Sequence, residues 1–413
     1  MGNQNEKSNR NKIKEKNLGN KDTYNITNNL IIKNPFFKNI QTISKENCIG
    51  FEIYQLKSKN NSIYIAFLSE SHWIIFYKYI DKTKIFKEIS RLKINSDFYD
   101  NYLIHPQIKL KYFYNPLNKK EYIFISRCNE EIIEIYLIKD ENKYENINIE
   151  YKGIKRMGFN TNISVDLFEV FYNEYDKNIY VIVSYIIHEF CCVSEIPDII
   201  KYIDIMQLKE KKLELIKTFT FDLTNNGDVL NLIYENDKNY YIIVILNNNI
   251  QIIDINKLRV ENLIPINNKL CDFLKLDCRP GYYHKIINDF KPYSIIKIMN
   301  KDYLYITKYK SDDKGHKRSD LVIIDLFKKE IFKFINLTIY VSSFVKWNDN
   351  NIIFICFDSF YIFDINYYQI TTKYSGIGNH TPIYYAKPFF SKENKFYCLF
   401  LLFYELKFYF NNN

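Results

Sequence analysis

The stretch KNYYIIVILNNNIQIIDINKLRVENLIPI, Lys238 to Ile266, sets the reading of the whole chain. It holds an apolar run over Tyr240–Leu246, an Asn-rich turn, a second run over Ile250–Ile255 that carries Ile-Asp-Ile, a polar turn and a third run. Short runs rich in β-branched and aromatic residues, punctuated by turn formers, specify three antiparallel strands.

Variants of this unit recur from one end of the chain to the other. Openings fall at Ile49–Tyr54, Ile108–Tyr114, Leu167–Tyr172, Val229–Tyr234, Tyr293–Ile298, Val341–Trp347 and Ile383–Phe390. After most of them comes a short turn of Asn, Asp and Lys, such as Asn118-Lys119-Lys120 or Asp176-Lys177-Asn178, and then further apolar runs. The expected fold is all-β: a seven-bladed β-propeller over residues 23–413, behind a basic tail over residues 1–22 that has nothing to bury. The blades fall at about 48–93, 108–152, 166–222, 229–267, 293–337, 340–375 and 382–410. The last blade lacks a fourth strand, and an apolar stretch over 24–37 has no unit of its own. Pairing the two shuts the ring and removes its free edges.

Composition agrees with one large β domain. The 413 residues are 47% hydrophobic and 17% aromatic, enough to bury a substantial core. Glycine (10) and proline (9) are scarce, so Asn, Asp and Lys must make the turns. The formal charge of +9 is dispersed along the chain, and without an Arg-rich stripe or an RNA-binding motif it argues against a nucleic-acid partner. The first 27 residues contain no apolar signal core, and no stretch offers about 18 uninterrupted apolar residues for a membrane span. Eight cysteines show no Cys-x-x-Cys pair, and those inside apolar runs, Cys356 and Cys398, read as small hydrophobes. The expected compartment is the reducing cytoplasm.

The stretches Tyr202-Ile-Asp204-Ile, Ile252-Ile-Asp254-Ile, Ile323-Ile-Asp325-Leu and Ile362-Phe-Asp364-Ile each set an Asp near the end of an aliphatic run. This pattern resembles the third strand of WD40 repeats, and the resemblance extends over about residues 24–410. The chain departs from the family in having no Trp-Asp dipeptide, and its Gly315-His316 lies in a charged loop. The resemblance implies a scaffold for protein partners.

Catalytic and metal constellations are missing from the sequence. Six histidines (72, 105, 188, 284, 316 and 380) share no ligand spacing, no Gly-x-Ser-x-Gly elbow occurs, and glycines are too sparse for a phosphate loop. The four aspartates are expected to accept turn backbone N–H groups, not to form a carboxylate ring. No cofactor, metal or small-molecule substrate is expected.

The three largest loops are Ile187–Ile199, Asn267–Pro292 and Lys308–Asp320, and in an antiparallel propeller all three leave from one face. Long loops in compact domains carry function. Phe190 and Glu195 in the first, Arg279, Tyr282, Tyr283 and His284 in the second, and Lys317 and Arg318 in the third are therefore the candidate partner-binding residues. The third loop reads as a solvated tip. Two alternatives stand beside the scaffold. One is a membrane-peripheral propeller binding anionic lipid through its basic N-terminus, with Gly2 as an acylation point. The other is an enzyme carried on a propeller.

Overall fold

The structure is a computed structural model that describes residues 37–44, 48–59, 62–69, 71, 73–94, 108–127, 132–147, 150–151, 161–189, 199–209, 212–222, 230–236, 239–246, 249–265, 293–298, 301–311, 317–356, 359–374, 383–390, 396–402 and 406–411. Its strands in chain order begin with β1 (Phe37–Ser44), then β2 (Cys48–Leu56), β3 (Ser62–Ser69), β4 (Trp73–Ile80) and β5 (Ile85–Lys93). Next come β6 (Ile108–Asn115), β7 (Lys120–Arg127), β8 (Ile132–Asp140) and β9 (Lys143–Ile147). A short β10 (Glu150–Tyr151) precedes β11 (Thr161–Asn173), β12 (Asn178–Glu189), β13 (Ile199–Lys209) and β14 (Lys212–Asp222). The fourth group is β15 (Leu230–Asn236), β16 (Asn239–Ile245), β17 (Asn249–Asp254) and β18 (Arg259–Pro265). The fifth is β19 (Tyr293–Ile298), β20 (Lys301–Ser311), β21 (Lys317–Asp325) and β22 (Glu330–Leu337). The chain ends with β23 (Ser343–Lys346), β24 (Asn351–Ile355), β25 (Phe360–Asp364), β26 (Gln369–Tyr374), β27 (Ile383–Phe390), β28 (Phe396–Leu402) and β29 (Leu406–Asn411).

Among the described residues these strands form seven sheets, each a meander in chain order apart from two additions. β10 joins the outer edge of the third sheet, parallel to β14. β1 joins the last sheet, antiparallel to β29, from Phe37 opposite Asn411 to Ser44 opposite Leu406. The closing strand is thus Phe37–Ser44. The expected 24–37 lies outside the described residues except for Phe37, so the strand is shifted towards the polar segment that follows Pro35-Phe36.

The sheets stack face on face in chain order, which makes the fold an all-β propeller. Buried clusters join the first sheet to the second around Tyr54, Phe76 and Ile123, and the second to the third around Phe124 and Val181. Others join the third to the fourth around Ile203 and Val244, the fourth to the fifth around Ile243 and Val322, and the fifth to the sixth around Ile323 and Phe354. Middle strands are covered on both sides, and so their sequences are continuous apolar runs: in β3 every residue from Ile63 to Ser69 is buried. Outer strands meet water, and β5 mixes exposed and covered positions accordingly. Aromatic pairs bridge neighbouring sheets, with ring centroids 4.7 Å apart for Tyr54–Tyr112, 4.1 Å for Phe76–Tyr144 and 3.9 Å for Phe171–Tyr240. Each such pair contributes about 0.5–1.5 kcal/mol beyond its buried area.

Gln41 joins the two ends of the chain's sheet order. Its amide nitrogen donates to the Phe86 carbonyl (2.8 Å) and its amide oxygen accepts from the Phe86 N–H (2.7 Å). β5 is the outer strand of the first sheet, so the side chain covers groups on an edge that would otherwise lie open. Ile43 of the same strand packs into the cluster of Phe51, Phe67 and Phe86, with Trp73 against it.

Candidate interaction surface

In a four-stranded meander, the first and third turns share one end, which we call the turn end. The second connection and the link to the next sheet share the other, the loop end. The two ends differ in chemistry.

Among the described residues, most turns at the turn end are four-residue hairpins without glycine. The fourth residue takes positive φ in Lys84 (55°), Lys119 (56°), Lys177 (62°), Leu258 (52°), Lys329 (59°) and Tyr368 (54°). Its N–H donates back to the residue before the turn, as in Lys84 to Ile80 (2.8 Å), Lys177 to Asn173 (2.9 Å) and Lys329 to Asp325 (2.8 Å). A side-chain oxygen holds most of these turns. Asp254 accepts from the N–H groups of Asn256 (2.7 Å) and Lys257 (3.1 Å). Asp325 accepts from those of Phe327 and Lys328 (both 2.9 Å), and Asp364 from those of Asn366 (2.8 Å) and Tyr367 (3.1 Å). Asn115 and Asn173 accept in the same way from the N–H groups of Leu117 (2.9 Å) and Tyr175 (3.0 Å).

Three of the four aspartates singled out in the sequence thus hold turns, and Asp204 does not. It sits inside β13, opposite Val183 and Thr218, five residues before the strand ends. Its carboxylate accepts from Thr218 Oγ1 (2.6 Å) and the Tyr185 hydroxyl (3.1 Å). Burial raises its pKa above the ordinary value, and these two hydrogen bonds only partly oppose that.

Polar side chains at the turn end also fasten sheet to sheet. Glu121 at the start of β7 is buried, and it accepts from the Lys57 N–H (2.6 Å), the Ser58 hydroxyl (2.5 Å) and Tyr112 (2.8 Å). Glu141 accepts from Tyr64 (2.8 Å) and pairs with Lys78 (2.5 Å), which holds its pKa below the usual carboxylate value. Asn173 donates to Asn256, which in turn donates to Asn239 (2.8 Å).

The apexes of four turns expose large apolar side chains: Leu117 (61% exposed), Tyr175 (77%), Phe327 (86%) and Tyr367 (74%). Exposed lysines stand beside several of them, at Lys119, Lys120, Lys177, Lys328 and Lys329. Sequence reading did not single these out; an apolar residue held between turn formers, as in Pro116-Leu117-Asn118, is the signal that was there to find.

The candidate partner-binding residues were expected at the loop end. Phe190, Glu195, Arg279, Tyr282, Tyr283 and His284 lie outside the described residues, as does Gly2. Lys317 and Arg318 belong to β21, opposite Ser311 and Lys310, so the expected loop over Lys308–Asp320 narrows to 312–316. The polar residues there extend the β20–β21 ladder instead of leaving it, and Ser319 and Asp320 are buried. Among the described residues no group of three or more His, Cys, Asp or Glu side chains could hold a metal. Cys356 is buried in an apolar cluster. No helix among the described residues is long and apolar enough to cross a membrane.

No family model matches the chain, and no curated protein matches it in sequence. Among solved structures, its fold is similar to that of Sqt1 from Saccharomyces cerevisiae, with a TM-score of 0.53 at 7% identity, covering 90% of this chain and 97% of that one. The C-terminal WD40 domain of Sif2 has a TM-score of 0.48 at 9% identity, covering 94% and 100% of the two chains. BBS1N, crystallised with ARL6DN, has 0.49 at 8%, covering 92% and 96%. At 7% identity the likeness to Sqt1 speaks to fold alone.

Proposed function

We propose that this chain is a non-catalytic, seven-bladed WD40-like propeller that scaffolds a protein complex through the loop end of its third to fifth blades. The blade count rests on the run of sheets from β2–β5 to β27–β29 with β1.

One observation carries the partner reading. The connections β12–β13, β18–β19 and β20–β21 all leave from the loop end, and the first two are the long insertions 190–198 and 266–292. In sequence these connections contain Phe190, Glu195, Arg279, Tyr282, Tyr283 and His284, and Lys317 and Arg318 begin β21. Tyrosine and arginine are the residue types that dominate interface energies.

The test is affinity purification of the native protein beside its R279E/Y282A/Y283A variant. Loss of at least one co-purifying protein from the variant, with its fold intact by circular dichroism, supports the proposal. An unchanged set of partners overturns it.

A further inference from the structure

We infer that the turn end of the propeller is a docking face for an anionic lipid bilayer. Four apolar side chains enter the interface there while the lysines around them meet the headgroups. The inference is independent of the protein-partner reading, which concerns the opposite end.

Leu117, Tyr175, Phe327 and Tyr367 come from the second, third, fifth and sixth sheets, so they are spread around the ring on one side of it. A singly exposed apolar residue needs no explanation, but four raised on turn apexes of the same end form a pattern. Each stands on a turn whose backbone is held by an Asn or Asp oxygen, so the side chain is presented by a fixed support. Raised points distributed around a ring meet a broad, flat partner. They line no groove of the kind that holds a peptide or tracks a nucleic-acid strand.

The turn end is also positively charged. The described turns 57–59, 81–84, 116–119, 141–142, 174–177, 255–258, 326–329, 347–350 and 365–368 contain the lysines 57, 59, 82, 84, 119, 177, 257, 328 and 329. Against these nine stand five acidic residues, Asp81, Glu141, Glu174, Asp176 and Asp349. Lys59 is tied to Asp140 and Lys257 to Glu261, yet the excess of positive charge remains. Aromatic and aliphatic tips set among lysines are the composition of an interfacial anchor, and anionic headgroups attract each nearby lysine by about 1 kcal/mol.

Phe37 pairs with Asn411, where β29 ends and a third turn would begin, so β1 starts at the turn end. In the sequence before β1, residues 1–22 hold six basic residues (Lys7, Arg10, Lys12, Lys14, Lys16 and Lys21) against three acidic ones (Glu6, Glu15 and Asp22). A polybasic segment supplies the second signal that stable membrane attachment requires.

Vesicle flotation of the full-length chain tests the inference. The wild type is expected to float with phosphatidylcholine vesicles doped with phosphatidylserine, to stay behind with phosphatidylcholine alone, and to release as salt rises. L117S/Y175S/F327S/Y367S should weaken partitioning by at least about tenfold, as should K119E/K120E/K177E, with circular dichroism unchanged. The single variant F327S, at the most exposed position, keeps the test open should the quadruple variant fail to fold; it should float measurably less. Absence of wild-type flotation, or flotation of the quadruple or F327S variant equal to wild type, overturns the inference. Binding of single-stranded RNA in place of the charged vesicles would overturn it as well.

Discussion

Gln41→Ala removes the clamp between the closing strand and the first sheet, and the structure sets the size of the effect. The wild-type amide supplies one donor and one acceptor to the backbone of Phe86. Each bond contributes about 0.5–1.5 kcal/mol net, and groups left unpartnered cost about 1–3 kcal/mol where water is excluded. Gln41 is half-buried, so water recovers part of the loss, and the expected cost is about 1–2 kcal/mol. Gln41→Glu discriminates this account from a simple packing loss. It keeps the size and the acceptor, but it aims a carboxylate at the Phe86 carbonyl, and it should cost at least as much as alanine.

Trp73 packs against the same cluster as Ile43 and Phe86. The chain has 2 Trp, so a Trp347→Phe background leaves Trp73 as the only indole and a local reporter of closure. Urea titrations followed by its fluorescence should show both variants opening at lower denaturant than the background protein. If Q41A differs by less than about 0.3 kcal/mol, or if Q41E matches the unsubstituted protein, the clamp contributes nothing and the reasoning fails.

Three further outcomes follow from the turn end and the third sheet. Glu121→Ala leaves the Lys57 N–H and two hydroxyls without their shared carboxylate, and it should cost about 2–4 kcal/mol in urea unfolding, against about 1 kcal/mol for Glu121→Gln, which keeps an acceptor. Asp325→Ala should cost about 1–2 kcal/mol, the range for losing a capping oxygen, and Asp325→Asn should recover most of it; equal losses would count against the turn assignment. Asp204→Asn tests the raised carboxyl. Because the folded pKa lies above the unfolded one, the stability it lends is complete below about pH 4 and is lost as pH rises through the folded value, so the variant should gain on wild type between pH 4 and 7. A difference that stays constant across this interval would show that the carboxyl has the same pKa folded and unfolded, and would refute the raised value.

Much of the architecture could be read from residue order because each level repeats the same instruction. The run Trp73–Ile80 coincides with β4, since a strand covered on both faces is apolar along most of its length. Asp254, Asp325 and Asp364 were legible as turn holders because turn-forming residues follow within three positions. After Asp204 the chain continues Ile205-Met206-Gln207-Leu208, so the strand runs on and the aspartate is carried into it. Gln41 and Glu121 were not legible. Their importance lies in partners 45 and 64 residues away, and a local pattern holds no trace of which sheet will stand beside which. The same limit hid the apex residues, which look like ordinary loop positions until the topology gathers the turns at one end.

The scarcity of glycine links the fold to the docking face. Left-handed backbone at a non-glycine residue costs about 1–2 kcal/mol, and Lys84, Lys119, Lys177 and Lys329 bear that cost where glycine would relieve it. If these lysines are only the product of a lysine-rich composition, replacing them should help folding and harm nothing. If the turn end meets anionic lipid, the strain is retained for the charge that comes with it. Lys119→Gly with Lys177→Gly separates the two. The turns should gain up to about 1 kcal/mol, because glycine relieves the left-handed strain but loses more entropy on folding. Retention on phosphatidylserine vesicles should nonetheless fall, since each lysine near the surface contributes about 1 kcal/mol. A variant that is both more stable and equally well retained would show that these lysines serve the turns alone.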